Sequence, residues 1–430
     1  MSISISRLLR GDFVRHGLLV FSSSLVVNAC NYLFHFIASR RLGPSSYGDL
    51  YALITVLTLF GVVSASATTV VVRLTAELAS VADDAAIRSL VASARRWSLV
   101  VAVVLAGLAV ATAVPAASFL HLQNSKLMLP WAVVLMGSIA LPPLRAVMQG
   151  LQDFRHFAIS ASIEAGGKVV FGVTAVMLGF GTAGALAGQA LGSAFAWVYS
   201  DVILRRRTRN APRQPLRLDG RRLIAVSVGV VGSTLATTAL LSIDALAAKH
   251  YLTPSAAGIY SAASLAGKVL MFAVGFVPLV LLPKATHAAM RGQPVLGTLI
   301  QGATVSAGMA AIILVAYAVA PSIVLDVMVG RNYGAAAPFL LPYGLAMSLL
   351  AMTNTVVAFK IAIHRFEFVV PLLMTAGAEV LALAFHHDDI GAIVQVLLGA
   401  QVVAIIVCAV PWPSRMSARP IMGAARVGAD

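Results

Sequence analysis

Leu42-Gly43-Pro44-Ser45-Ser46-Tyr47-Gly48 separates two long apolar runs, and Leu252-Thr253-Pro254-Ser255-Ala256-Ala257-Gly258 separates two others. Leu, Pro, Ser and Gly recur between these stretches at one offset of 210 residues. Arg155 and Arg365, each following a later apolar run, share that offset. In a chain of 430 residues the offset marks two nearly equal halves. A turn repeated at equivalent places predicts a duplicated architecture, its halves related as parallel repeats about an axis along the membrane normal.

Composition names the solvent. Apolar types make up 59% of the chain and charged types 11%. Soluble domains carry about 45–50% and roughly 25%. A soluble enzyme, a disordered chain and a fibrous protein are therefore excluded, and an all-α polytopic membrane protein is expected. The net charge is +15. In a membrane protein such an excess points to cytoplasmic loops and anionic headgroups, not to nucleic acid. Cys30 and Cys408 both sit in apolar runs and offer neither a disulfide framework nor a metal cluster.

A crossing of about 30 Å of hydrocarbon needs roughly 20 mainly apolar residues. Twelve runs qualify: 17–39, 47–72, 97–119, 127–150, 157–180, 182–204, 222–248, 256–282, 296–320, 337–363, 367–386 and 390–412. Gly179-Phe180-Gly181 predicts a helical hairpin between the fifth and sixth. The first run is too long for a signal-peptide core and lacks a small-residue cleavage site, so an uncleaved span is expected. Two six-helix lobes follow, 1–204 and 222–430, joined by the basic linker 205–221.

Placing both termini and the even-numbered loops on one side collects 23 of the 31 Lys and Arg there, including eight Arg of 205–222. The other side holds Arg40, Arg41, Lys126, Lys249 and Arg331. Such a bias predicts cytoplasmic termini in a cell membrane. Two equal lobes predict a transporter with its substrate site between them near mid-depth, not an enzyme.

Charges within spans are costly and mark functional candidates. Lys168 and Glu164 stand four apart on one helix face, close enough to pair with each other. Lys268 has no acidic residue three or four positions away. Asp244 is a potential partner for Lys268 or Lys249, and Glu379 lies unpaired in the eleventh span. Glu164, Asp244 and Glu379 are thus candidates for ion pairing or for carrying a coupling proton. Arg145 and Lys360 lie near span ends, where snorkelling is the simpler reading. Asn28, Asn31 and His35 form a polar stripe on the first span, which either binds across helices or faces a cavity. The glycines of 179–192 suggest close helix packing, and no Walker-type phosphate loop occurs, so no cofactor is expected. His386-His387-Asp388-Asp389 has metal-capable types but reads as a solvated turn.

The stretch Ala38-Ser39-Arg40-Arg41-Leu42-Gly43-Pro44-Ser45-Ser46-Tyr47-Gly48 resembles the first loop of polysaccharide-biosynthesis flippases of the multidrug/oligosaccharidyl-lipid/polysaccharide (MOP) exporter superfamily. Arg73, Gln149-Gly150 before Asp153-Phe154-Arg155, Asp244, Pro254, Gly258-Ile259-Tyr260, Lys268, Pro283 and Gly330-Arg331-Asn332-Tyr333 continue the resemblance from about 15 to 410. It implies alternating-access transfer of a polyprenyl-phosphate-linked saccharide, with membrane lipids and pathway glycosyltransferases as expected partners. The phosphate would meet Lys168 and Lys268, the sugar Asn28, Asn31 and His35, with Arg73 a further cavity candidate. Rival readings are a proton- or sodium-coupled drug/cation antiporter, a membrane glycosyltransferase or polymerase, and a scaffold recruiting enzymes through the linker.

Overall fold

The computed structural model describes residues 12–212, 220–274, 277, 296–362 and 365–410. Both chain ends, Arg213 and Arg217 of the linker, and Pro283, Lys284 and Arg291 lie outside the described residues.

Gly43 and Pro44 do what their types dictate. The first helical element, α1 (Asp12–Ser80), is interrupted at Gly43, with φ 74° and ψ 169°. Only glycine takes that backbone without strain. Pro44 then opens the second arm, where a missing N–H costs nothing. The two arms fold back on each other. His35 Nδ1 lies 3.2 Å from Tyr47 Oη, although twelve residues of straight helix would separate them by about 18 Å.

The first half continues with α2 (Asp84–Ala111), α3 (Ala113–Phe119), α4 (Met128–Gly150) and α5 (Phe154–Gly167). A six-residue π turn, Lys168–Val173, leads into α6 (Thr174–Met177), and α7 (Gly181–Thr208) follows. The second half comprises α8 (Gly220–Tyr251), α9 (Pro254–Val274), α10 (Leu296–Val319), α11 (Pro321–Met328), α12 (Ala337–Ala362), α13 (Val369–Phe385) and α14 (Ile390–Ala409). Among the described residues, every apolar run expected to span falls on one or more of these helices, with Gly43 dividing the first two. Eight described helices are long and apolar enough to cross a membrane by length and composition. The α6–α7 turn has Gly179 at φ 89° and Gly181 at φ 56°, the conformations for which that hairpin needs glycine.

Within the first half α4 is central, packing on α1, α2 and α7. Within the second half α12 packs on α9, α10 and α14, and α8 on α13. The halves meet where α1 packs on α8 and α9. There the repeat touches itself: a Cβ on Gly48 would stand 3.2 Å from Gly258 Cα, and these two residues are 210 apart. Equivalent residues in contact are what a two-fold axis between halves produces.

Small residues set the α5–α7 contact. A Cβ on Gly192 would lie 2.6 Å from the Glu164 carbonyl, and one on Gly188 would overlap the backbone of Gly172. The expected role in close packing is met by Gly184, Gly188 and Gly192, whereas Gly179 and Gly181 have nothing within 4 Å and serve the turn. Gly188→Ala is expected to destabilise the first half by about 1–3 kcal/mol through overpacking. Denaturant titration of the detergent-solubilised protein checks this, and an unchanged midpoint would count against it.

Candidate functional site

Two polar clusters lie inside the helical bundle, one from each half. In the first, the π turn begins at Lys168. A π turn inserts a residue into the helix and re-aims the side chains that follow. Lys168 Nζ lies 3.3 Å from Asn31 Oδ1, to which it donates, and 4.4 Å from the centre of the Phe34 ring. Lys168 and His35 are 7% and 8% exposed, and the charge of Lys168 acts on the His35 ring. Asn28, Asn31 and His35 run from exposed through half-buried to buried along one arm of α1.

Glu164 does not pair with Lys168. Its Oε2 lies 2.6 Å from Arg145 Nη1, and its Oε1 accepts from Ser193 Oγ at 3.1 Å. Arg145 also donates to Ser160 Oγ at 2.9 Å and to the Ser160 carbonyl at 2.7 Å. This corrects two readings. Arg145 ties α4 to α5 rather than snorkelling as an end charge, and Glu164 carries the link on to α7 through Ser193. Arg73 is also apart from the cluster: its side chain is 44% exposed and paired with Glu77.

The second cluster is built on Asp244, fully buried on α8. Tyr260 Oη donates to Asp244 Oδ2 at 2.8 Å and Tyr343 Oη at 2.7 Å. Asp244 thus takes its hydrogen bonds from tyrosines, not from the lysines considered as partners. Lys249 instead forms a buried ion pair with Asp49 of the other half, Nζ to Oδ1 2.5 Å. Lys268 nevertheless shares the site, within electrostatic range of Tyr51, Asp244 and Glu379. Glu379 is 1% exposed. Both its carboxylate oxygens, and Asp244 Oδ1, are buried without a hydrogen-bond partner among the described residues.

Tyr51 joins the clusters. Its hydroxyl lies 2.9 Å from Ser264 Oγ, which in turn lies 2.7 Å from Tyr343 Oη. Its ring is 5.4 Å from Lys268 Nζ and 6.1 Å from the His35 ring. A polar route therefore runs from Lys168 and Asn31 through His35 and Tyr51 to Ser264, Tyr343 and Asp244. The four tyrosines 47, 51, 260 and 343 and Ser264 were missed in the sequence reading. A signal existed: Tyr260, Ser264 and Lys268 recur every four residues, one face of a helix.

One end of the interface between halves is closed. Ser39 Oγ donates to the Val329 carbonyl at 2.9 Å, and Tyr333 Oη to the Ser39 carbonyl at 2.9 Å. Arg40 donates to the Asp326 carbonyl at 2.6 Å and to that of Val327 at 3.0 Å. Phe119 stacks on His250 at 4.1 Å. All these lie at the Gly43 end, as does Asp49–Lys249. At the opposite end, Arg95–Asp201, Arg207–Asp153 and Lys360–Glu367 each stay within one half. Lys360, also hydrogen-bonded to the Val410 carbonyl, ties α12 to the residues flanking α13 and α14. At the Gly43 end Asp389 caps α14, its Oδ1 accepting from Ala392 N at 2.7 Å, and His387 stacks on Tyr251.

Paired helical halves with ionisable groups at their junction are the fold that solved transporters of the MOP superfamily share with this chain. A solved structure described as the inward-facing conformation of a multidrug resistance MATE family transporter of that superfamily superposes with TM-score 0.71 at 14% identity. The match covers 91% of this chain and 96% of that one. Lipid II flippase MurJ in an inward closed conformation gives TM-score 0.68 at 11% identity, covering 92% and 86%. An outward-facing MATE transporter gives 0.58 at 15% identity, covering 95% and 97%. No curated protein sequence matches the chain. The polysaccharide biosynthesis protein family matches residues 13–288, and the chain belongs to that family.

Proposed function

We propose that the chain is a flippase moving a polyprenyl-phosphate-linked sugar or oligosaccharide from the cytoplasmic to the outer leaflet for cell-envelope polysaccharide synthesis. The observation that carries this is the meeting of buried ionisable groups from both halves at Tyr51, beside an interface closed at one end. Family membership supplies the polysaccharide context. An anionic sugar-phosphate headgroup needs a polar, cationic path, while its polyprenyl tail stays in lipid.

In this reading the lobes are 1–204 and 222–430, linked by 205–221, and the chain crosses the cell membrane twelve times with both termini cytoplasmic. The Gly43 end is then the outer end. A closed outer end is not an outward-facing state, in keeping with the higher similarity to inward-facing than to outward-facing structures. Lys168 and Lys268 attract the phosphate, and Asn28, Asn31 and His35 bind the sugar. Arg73, exposed and paired with Glu77, is assigned no role in binding. Asp244 and Glu379 serve coupling. Two carboxylates beside one ammonium in an apolar medium leave a charge without a counter-ion, which costs several kcal/mol unless a proton or cation joins them. Glycosyltransferases of the same route are the expected protein partners.

Lys268→Ala is expected to lower flipping at least tenfold at normal membrane abundance. A membrane-impermeant sugar-binding reagent applied to intact and permeabilised spheroplasts reads the leaflet distribution. A wild-type distribution in the variant, with no redundant flippase, would remove the proposal. The second reading, a cation antiporter, draws on the unpartnered Asp244 and Glu379 oxygens. It predicts instead that Glu379→Gln abolishes export of a cationic dye while lipid-linked sugars stay evenly distributed.

A further inference from the structure

Among the described side chains, four cations lie within the expected spans: Arg145, Lys168, Lys268 and Lys360. Three have acidic company. Arg145 is held by Glu164 at 2.6 Å, and Lys360 stands 3.8 Å from Glu367. Lys268 faces two carboxylates, Asp244 and Glu379. Lys168 differs. Its hydrogen-bond partner is the neutral Asn31 and its ring contact is Phe34. The acid one turn before it, Glu164, has both oxygens engaged, one by Arg145 and one by Ser193.

The two clusters therefore differ in sign. With its carboxyls ionised the second cluster is net negative by one, and Lys268 meets an anion only once a proton or cation has joined Asp244 and Glu379. The first, with Arg145 and Lys168 against Glu164, carries one positive charge in excess, and Lys168 is buried. The stripe Asn28, Asn31, His35 leads to it from the exposed surface of α1. A charge buried in such a medium is tolerated when it meets one opposite charge, and a second like charge is left unpaired.

We propose that Lys168 selects cargo whose headgroup carries a single negative charge: a sugar joined to polyprenol by one phosphate, in preference to one joined by a diphosphate. The inference rests on the flippase reading. A phosphodiester brings one negative charge and neutralises Lys168. A diphosphate bridge brings at least two, and the other buried cations of the two clusters, Arg145 and Lys268, are already matched by acids. Lys168 is thus a specificity-determining residue, and Asn31 positions its ammonium group.

The test uses the full chain in vesicles of phosphatidylcholine with a minor share of phosphatidylglycerol. Fluorescent short-chain polyprenyl lipids with pentose and hexose headgroups are each made with one and with two phosphates. Quenching by an impermeant reductant reads transfer between leaflets. The one-phosphate member of at least one pair is expected to move at least tenfold faster than its two-phosphate twin. Lys168→Gln should lose most of that advantage, and Asn31→Lys, which adds a second ammonium group, should raise two-phosphate transfer relative to one-phosphate transfer. Equal or faster movement of the two-phosphate lipids overturns the selection while leaving the flippase reading intact. Movement of neither member in any pair overturns the flippase reading, and the selection falls with it. If either variant fails to accumulate, the wild-type comparison alone decides.

Discussion

Gly258→Val is expected to prevent closure of the Gly43 end and to abolish transport. Gly258 packs directly on the first turn of the second α1 arm. A Cβ there would overlap the Pro44 carbonyl and stand 2.8 Å from Pro44 Cα. Both neighbours are backbone, so no side chain can swing aside. Relief requires the halves to separate toward ordinary van der Waals distance, about 3.5–4 Å. Such a shift would break the Ser39–Val329 and Tyr333–Ser39 hydrogen bonds, which cross the same interface. Oxidative crosslinking between cysteines introduced by Ser39→Cys and Val329→Cys reads the closed state. Its yield should fall at least severalfold with Gly258→Val, and flipping should stop. Gly61→Ala, at a position with nothing within 4 Å, should leave both unchanged. Crosslinking at full yield in the Gly258 variant would refute the role of this contact.

Breaking the Asp49–Lys249 pair should cost nearly as much by a different route. The side chains are 1% and 2% exposed, so neither charge reaches solvent when its partner is lost. Removing one member of a buried pair typically costs about 3–5 kcal/mol, whereas replacing both by neutral groups is often neutral. Asp49→Asn and Lys249→Met are each expected to destabilise the solubilised protein on that scale, and the double variant to recover most of the loss. Asp49 Oδ2 also accepts from Gln123 N at 3.2 Å, a bond that asparagine can retain through its carbonyl. Unfolding titrations of the four proteins complete a double-mutant cycle. Additive losses would show that the two charges do not depend on each other. Because the pair bridges the halves, each single variant should also lower the Ser39–Val329 crosslinking yield.

Much of the architecture was legible because a bilayer allows few alternatives. Spanning segments must be helices long enough to cross hydrocarbon, and the apolar runs fall on helices accordingly. Leu42-Gly43-Pro44 marked a chain reversal because only glycine takes that φ freely and proline starts the next arm. The 210-residue offset announced a duplication, and the contact of Gly48 with Gly258 gives it a physical axis. Lys168, Lys268, Asp244 and Glu379 stood out because charges are scarce in spans.

Their partners were not legible. Spacing within one helix proposed Glu164 for Lys168, but Arg145 on α4 reaches Glu164 first. Lys249 counted as an outer-loop charge, yet it is buried against Asp49, two hundred residues away in sequence. The residue types, the helices, the turn and the duplication were determined by the sequence alone, since each follows from local backbone preference or from the length of an apolar run. Which charge meets which, and the opposite signs of the two clusters, were decided by the tertiary structure. A pairing across helices depends on which faces the packed backbones turn toward each other, and no spacing along a single helix encodes that.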